Sequence, residues 1–204
     1  MITAADARTF ARAMAVGGVA VFPADTVYGL ACEPDSAEAV RRLYALKRRA
    51  PGKPAAVMFF DLELALAALA ELGGRTRAAL RALLPGALTA LVPNPARRYP
   101  LACGPDGLSL GVRVPRLGPA AAALEAVRWP VLQSSANAAG GPDARTLAAV
   151  PASIRAGADL VLDGGELPGT PSTVVDLRRY DAHGTWRVVR EGAMTPEEIA
   201  ARLG

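Results

Sequence analysis

Phe22-Pro23-Ala24-Asp25-Thr26-Val27-Tyr28-Gly29-Leu30 sets a carboxylate, a hydroxyl and a phenol between two apolar segments. Val19 to Phe22 is an apolar run with β-branched and aromatic members, so it reads as a buried strand. Pro23 lacks an N–H and is expected to stop the ladder there. The polar residues then fall at a strand end. In open α/β sheets, ligands bind in crevices beyond the carboxyl ends of strands, which puts Asp25, Thr26 and Tyr28 where a small molecule is held. The same residues also suit an ordinary strand-turn-strand in which Asp25 and Thr26 bond their own backbone. Local chemistry leaves both readings open.

Upstream, Thr3 and Asp6 open a helix whose apolar positions Phe10, Ala13, Met14 and Ala15 end before Gly17-Gly18. Downstream, Ser36 caps a helix in which Val40, Leu43, Tyr44 and Lys47 recur at helical spacing, ending near Ala50-Pro51-Gly52. Ala55 to Phe60 is a short strand, and Asp61 to Leu72 and Arg75 to Leu84 are two helices separated by Gly73-Gly74. Ala87 to Val92, Leu108 to Val114, Pro130 to Gln133, Leu160 to Leu162, Thr173 to Leu177 and Trp186 to Arg190 read as further strands. The Pro/Gly-rich segment 93–107 reads as a surface loop. Pro119 to Val127 and Ala152 to Ala156 are short helices, and Thr195-Pro196-Glu197-Glu198 opens the last one. This alternation predicts a mixed α/β sheet with helices packed on it. With no repeat, low-complexity linker or charge block to divide them, residues 1–204 are expected to form one domain.

The composition, 51% hydrophobic and 21% charged, is that of a globular protein. No apolar run approaches the roughly 18 residues that span a bilayer. Asp6, Arg8 and Arg12 interrupt the first residues, which therefore lack a signal peptide's apolar segment, and a cytoplasmic location is expected. Cys32 and Cys103 have no metal-clamp spacing and read as buried free thiols. The net charge of +4 is modest, but Arg41, Arg42, Lys47, Arg48, Arg49 and Lys53 fall in one segment without an acid. Polyphosphate or nucleic acid is the natural counter-charge.

Four polar strand ends carry the candidate chemistry: Asp25 to Gly29, Thr89 after Pro85-Gly86, Ser135 to Asn137, and Gly169 to Thr173. They hold hydroxyls and amides but almost no acid or base groups. The only histidine, His183, sits in the turn-like Asp181-Ala182-His183-Gly184, so no Ser-His-Asp triad is assembled around it. A Walker loop and a His/Cys/carboxylate metal cage are likewise missing from the sequence. Positioning chemistry remains: cations for phosphate, hydroxyls and an amide for orientation, and at most a magnesium ion. Taken singly, the same residues also suit turn formers and a solvated basic helix face.

Their order and wording resemble the YrdC/TsaC family, the threonylcarbamoyl-AMP synthases. The matching pieces are FPADTVYGL (22–30), LKRRAPGKP (46–54), LPGALTALV (84–92), GVRVP (111–115), SSANAAG (134–140), GTPSTVVDL (169–177) and VREGA (189–193). The resemblance implies a YrdC-like twisted mixed sheet with flanking helices and a concave, positively charged cleft. It implies synthesis of threonylcarbamoyl-AMP and pyrophosphate from L-threonine, bicarbonate and ATP, with Mg2+, for threonylcarbamoyladenosine formation in tRNA by a downstream transferase complex. Carried over residue by residue, Lys47 and Arg49 are the K-x-R pair on the ATP phosphates and the catalytic cations. Thr89, Ser135, Asn137 and Arg190 join the nucleotide side, while Thr26, Arg113, Ala136 and Ser172 form the threonine pocket. No metal-ligating residues are implied.

The chain departs from the family pattern at Ala24, Ala50, Ala87 and Ala139, and Met58 falls near a histidine that some members use at the threonine site. With only residues 194–204 after VREGA, it is expected to lack the extra C-terminal domain of longer members. Two other readings are an RNA-binding module whose basic face holds phosphates, and a carbamoyl-transfer relative without threonine specificity.

Overall fold

In the computed structural model, which describes residues 1–105 and 107–204, nine strands among the described residues form one mixed sheet. They are β1 (Val19–Pro23), β2 (Tyr28–Cys32), β3 (Ala56–Met58), β4 (Leu88–Pro93), β5 (Ser109–Arg113), β6 (Val131–Ser135), β7 (Leu160–Val161), β8 (Thr173–Asp176) and β9 (Arg187–Arg190). Their spatial order is β7-β1-β2-β6-β3-β5-β4-β8-β9. The pairs β1–β7, β3–β5 and β4–β8 are parallel, and the other neighbours are antiparallel.

The helices begin where the capping signals stand. Thr3 and Asp6 form a reciprocal capping box on α1 (Ala4–Ala15), Ser36 caps α2 (Ala37–Lys47), and Asp61 caps α3 (Leu62–Ala68). α4 (Gly74–Leu83) begins with no side chain of its own at the cap; Asp181 supplies it from far along the chain, accepting from the N–H groups of Arg75 and Thr76. α5 (Ala152–Gly157), the single turn α6 (Tyr180–His183) and α7 (Pro196–Leu203) complete the set. His183 therefore ends a helical turn, exposed, before the left-handed Gly184. The segment expected as a helix over Pro119 to Val127 is a 3-10 helix, Ala122–Ala126.

Alternation along the strands decides what each face carries. Ser109, Gly111 and Arg113 share one face of β5, and the register sets Leu91, Ala56 and Gln133 beside Gly111 on that face. Leu110 and Val112 point the other way, joining Ala90, Val57, Leu132 and Val175 in a core with Leu66 of α3, Leu80 and Leu83 of α4, and Leu43 of α2. On the first face, α1 covers one end, where Phe10 and Met14 pack on Phe22, Ala31, Met58 and Val131. Met58, the departure from the family pattern, is a fully buried member of this cluster. Beyond it the face opens into a cavity.

Two details of the opening stretch differ from expectation. Pro23 belongs to β1 as its terminal pair with Tyr28, a position where its missing N–H costs nothing because the Tyr28 carbonyl accepts instead from the Ala136 N–H, 2.8 Å away. Tyr28 does not serve the cleft. Its side chain is fully buried, and its hydroxyl bonds Asp163 Oδ1 and the Gly165 carbonyl, both at 2.8 Å, while accepting from the Gly164 N–H. Alternation within β2 turns Tyr28 and Leu30 to the face opposite Ala31.

Asp176 closes the far side of the sheet. It accepts four hydrogen bonds from Arg178 and Arg187, which hold its carboxyl down at about 2. A depressed carboxyl stabilises the fold above the unfolded value near 4 and loses that contribution as pH falls towards 2. Because both arginines are substantially exposed, Asp176→Asn is expected to cost only about 1–2 kcal/mol at pH 7. The gap between urea titrations of the two proteins should narrow below pH 4 and close only as pH falls to about 2; a gap unchanged by acid would contradict this assignment.

Candidate active site

A cavity of about 680 Å3 lies on the open part of the sheet, within the size range of small-molecule sites. Among the described residues its charged lining is Arg49, Arg113, Arg178 and Arg190 with Asp143; Arg113 and Arg178 are paired with Asp25 and Asp176, so Arg49 and Arg190 make the cavity suited to an anion. Thr89, Gln133, Ser135 and Ser172 add neutral polar groups.

Arg113, at the end of β5, is only 4% exposed. Its Nη2 donates to the Asp25 carboxylate and to Thr26 Oγ1 at 2.9 Å, so the β1–β2 loop folds back over the sheet to grip it. Asp25 also accepts from the Arg116 N–H at 3.3 Å. Two donors of the guanidinium remain largely uncommitted: Nε is buried without a partner, and Nη1 has only Gln133 Oε1 at 3.4 Å. A planar fork with free donors beside a threonine hydroxyl suits a carboxylate.

The end of α2 forms the second corner. Arg48 adopts the left-handed conformation (φ 51°) and stays exposed, whereas Lys47 is 1% exposed. The Lys47 ammonium donates to the Ser135 carbonyl, to the Asn137 carbonyl at 2.8 Å and to Asn137 Oδ1 at 2.9 Å. Burial, then the charge of Arg49, lower its pKa to about 8, so it remains charged near neutral pH. Three acceptors match the three N–H bonds of an ammonium.

Asn137 is the hub of this corner. Its Oδ1 also accepts from the Ser135 hydroxyl (2.7 Å), and its Nδ2 donates to the Gly141 carbonyl (2.6 Å) and to Asp143 Oδ1 (3.3 Å). Arg49, just past the turn, donates to the Pro54 carbonyl, lies 5.5 Å from the Tyr44 ring centre, and keeps a buried Nε without a partner.

A third corner joins two distant segments. Arg190 Nη2 donates to the Ser172 carbonyl at 2.6 Å, and Ser172 Oγ shares a 3.2 Å hydrogen bond with Thr89 Oγ1. Glycine at 192 permits the approach, because a Cβ there would meet the Pro171 carbonyl at 2.3 Å.

The structure thus brings Arg49, Thr89, Arg113, Ser135, Ser172 and Arg190 to the wall of one cavity. Thr26, Lys47, Asn137 and Ala136 are not on that wall. Thr26 and Asn137 are buried supports of Arg113 and of the 137–143 turn, Lys47 lies beneath Ser135, and Ala136 is core, its N–H donating to the Tyr28 carbonyl at 2.8 Å. Gln133, Asp143 and the Asp25–Arg113 pair are additions that sequence reasoning missed. For Gln133 a signal existed: it alternates with Ser135 on one face of a strand already in view.

The model of the Sua5_yciO_yrdC family, described as "Telomere recombination", matches residues 12–192. Threonylcarbamoyl-AMP synthase of Chromohalobacter salexigens is 38% identical over 164 residues, covering 79% of this chain and 87% of that protein. P. abyssi Sua5 complexed with L-threonine superposes with a TM-score of 0.82 at 25% identity, over 100% of this chain and 59% of that one. E. coli YciO gives 0.68 at 26% identity, covering 95% and 92%. With a family model matched over residues 12–192 and a relative 38% identical over most of both chains, the chain belongs to the Sua5/YciO/YrdC family.

Proposed function

We propose that the chain is a threonylcarbamoyl-AMP synthase, using L-threonine, bicarbonate and ATP, and that its product serves a downstream transferase acting on tRNA. The observation that carries this is one cavity holding both a carboxylate-type corner, Arg113, and a pair of phosphate-type cations, Arg49 and Arg190. The same name is borne by relatives 34–38% identical.

The reaction asks for positioning more than for acid and base. The threonine amine and bicarbonate give a carbamate and water. A carbamate oxygen then bonds the α-phosphorus of ATP, and pyrophosphate leaves with the electrons of the broken P–O bond. Arg113 and Ser172 hold the amino acid, with Thr26 and Ala136 shaping the support behind them. Arg49 and Arg190 take the phosphates and offset the charge that develops on pyrophosphate. Thr89 and Ser135 orient the nucleotide, while Lys47 and Asn137 hold Ser135 and the following turn in place. Magnesium would arrive with the nucleotide substrate, bound to its phosphates.

Incubating the protein with ATP, threonine and carbon-labelled bicarbonate is expected to yield a labelled adenylate by mass spectrometry. An unlabelled adenylate, or none, would overturn the proposal. Selectivity gives a second check. Serine lacks one methyl, worth about 1–3 kcal/mol in a hydrophobic contact, so its kcat/KM should fall roughly 10- to 200-fold below threonine's. Serine equal to threonine would mean that the methyl is not read.

A further inference from the structure

Gln133 stands on β6 between the two functional corners. It is 5% exposed and lines the cavity, two residues from Ser135 and on the same face. Arg113 fixes which way its amide points. A guanidinium only donates, so the Gln133 oxygen turns to Arg113 Nη1, and Nε2 must face the other way. No protein acceptor among the described residues takes Nε2, yet it is not one of the buried unpartnered atoms, so it reaches the cavity. The backbone makes room for it: a Cβ on Gly29 would lie 2.9 Å from Nε2 and 3.0 Å from the Phe22 ring.

We propose that Gln133 Nε2 donates to the carboxyl group added to the substrate amine, making Gln133 the residue that holds the carbamate. The proposal rests on the synthase reading above. The carbamate must lie between the amino-acid carboxylate at Arg113 and the α-phosphate near Ser135, and Gln133 spans that interval on the same sheet face. Nε2 is a neutral donor next to a cation, which suits an anionic oxygen without adding another charge to the site. The side-chain amide can make this bond while its oxygen keeps Arg113 in register.

Gln133→Met keeps length and volume but removes the donor together with the weak 3.4 Å acceptor for Arg113 Nη1, while Asp25 and Thr26 still hold Arg113. Threonine binding, measured by calorimetry in carbon-dioxide-depleted buffer, should stay within about threefold of wild type, since Arg113 is intact. The bicarbonate requirement in pyrophosphate release should rise about 10- to 100-fold, the loss expected for one charge-assisted hydrogen bond. Gly29→Ala, which crowds Nε2, should shift the bicarbonate requirement in the same direction and supplies the test if Gln133→Met does not fold. An unchanged bicarbonate requirement in the folded variants overturns the proposal, as does a loss confined to threonine affinity, which would assign Gln133 to the amino acid itself. Failure of the synthase reading looks different: wild type would then release no pyrophosphate in a threonine-dependent way.

Discussion

Arg113→Lys is expected to raise the apparent KM for threonine roughly 30- to 300-fold while moving that for ATP less than threefold. The guanidinium is committed on one side to Asp25 and Thr26, and offers Nε and Nη1 on the other. A lysine ammonium can satisfy buried Asp25 as a point charge but cannot present a second planar edge to a carboxylate. Losing one or two charge-assisted bonds, at about 1.5–3 kcal/mol each, accounts for the size of the effect. Arg113→Ala is the poorer probe, because it strands a buried carboxylate and should destabilise the fold by about 3–5 kcal/mol. Initial-rate measurements with each substrate varied in turn decide the matter. A shift confined to ATP would move Arg113 to the nucleotide side.

Lys47→Ala is expected to lower kcat by at least about 100-fold, whereas Arg48→Ala changes it less than twofold. The two neighbours carry the same charge, but α2 ends between them. Lys47 is enclosed by oxygen atoms of Ser135 and Asn137, and Arg48 turns out to solvent in a left-handed conformation. Removing the ammonium leaves buried acceptors without donors, at about 1–3 kcal/mol each, and frees Ser135 and the turn through Gly141. Lys47→Arg should not rescue, since three acceptors gathered around one nitrogen fit an ammonium and not a planar fork. Because Lys47 acts here through Ser135 and Asn137, its loss should depress kcat and raise the ATP requirement together while leaving threonine binding by calorimetry intact. Equal losses in the Lys47 and Arg48 variants, with both still folded, would instead describe a diffuse basic patch.

Much of this arrangement was legible before any coordinates. The spacing of Val40, Leu43, Tyr44 and Lys47 already placed Lys47 on the buried face of its helix, since helical period is a local property. Alternation in 109–113 likewise separated Arg113 from Leu110 and Val112. What was not legible is pairing across distance. Asp25 and Arg113 are 88 residues apart, and nothing in either segment says that β5 ends where the β1–β2 loop folds back. The sheet order itself, with β6 between β2 and β3, follows from tertiary packing and leaves no mark in local pattern. Tyr28 misled for a related reason: its polar neighbours suggested a cleft, but strand alternation and the distant Asp163 claimed its hydroxyl.

The departures from the family pattern also acquire a physical reading. Ala24 is 1% exposed and packs in the apolar cluster under α1, and Met58 fills the same cluster beside Phe10 and Phe22. Neither faces the cavity, so Arg49, Arg113 and Arg190 keep their places without them. Ala139 donates its N–H to the Lys47 carbonyl at 2.8 Å, a backbone contact that its side chain does not alter.

The most direct test of the central claim is pyrophosphate release with threonine, bicarbonate and ATP each omitted in turn. The nucleophile exists only as the carbamate of the amino acid, so release should require all three and fall to background when any one is left out. Release at the full rate without threonine or without bicarbonate would contradict the account.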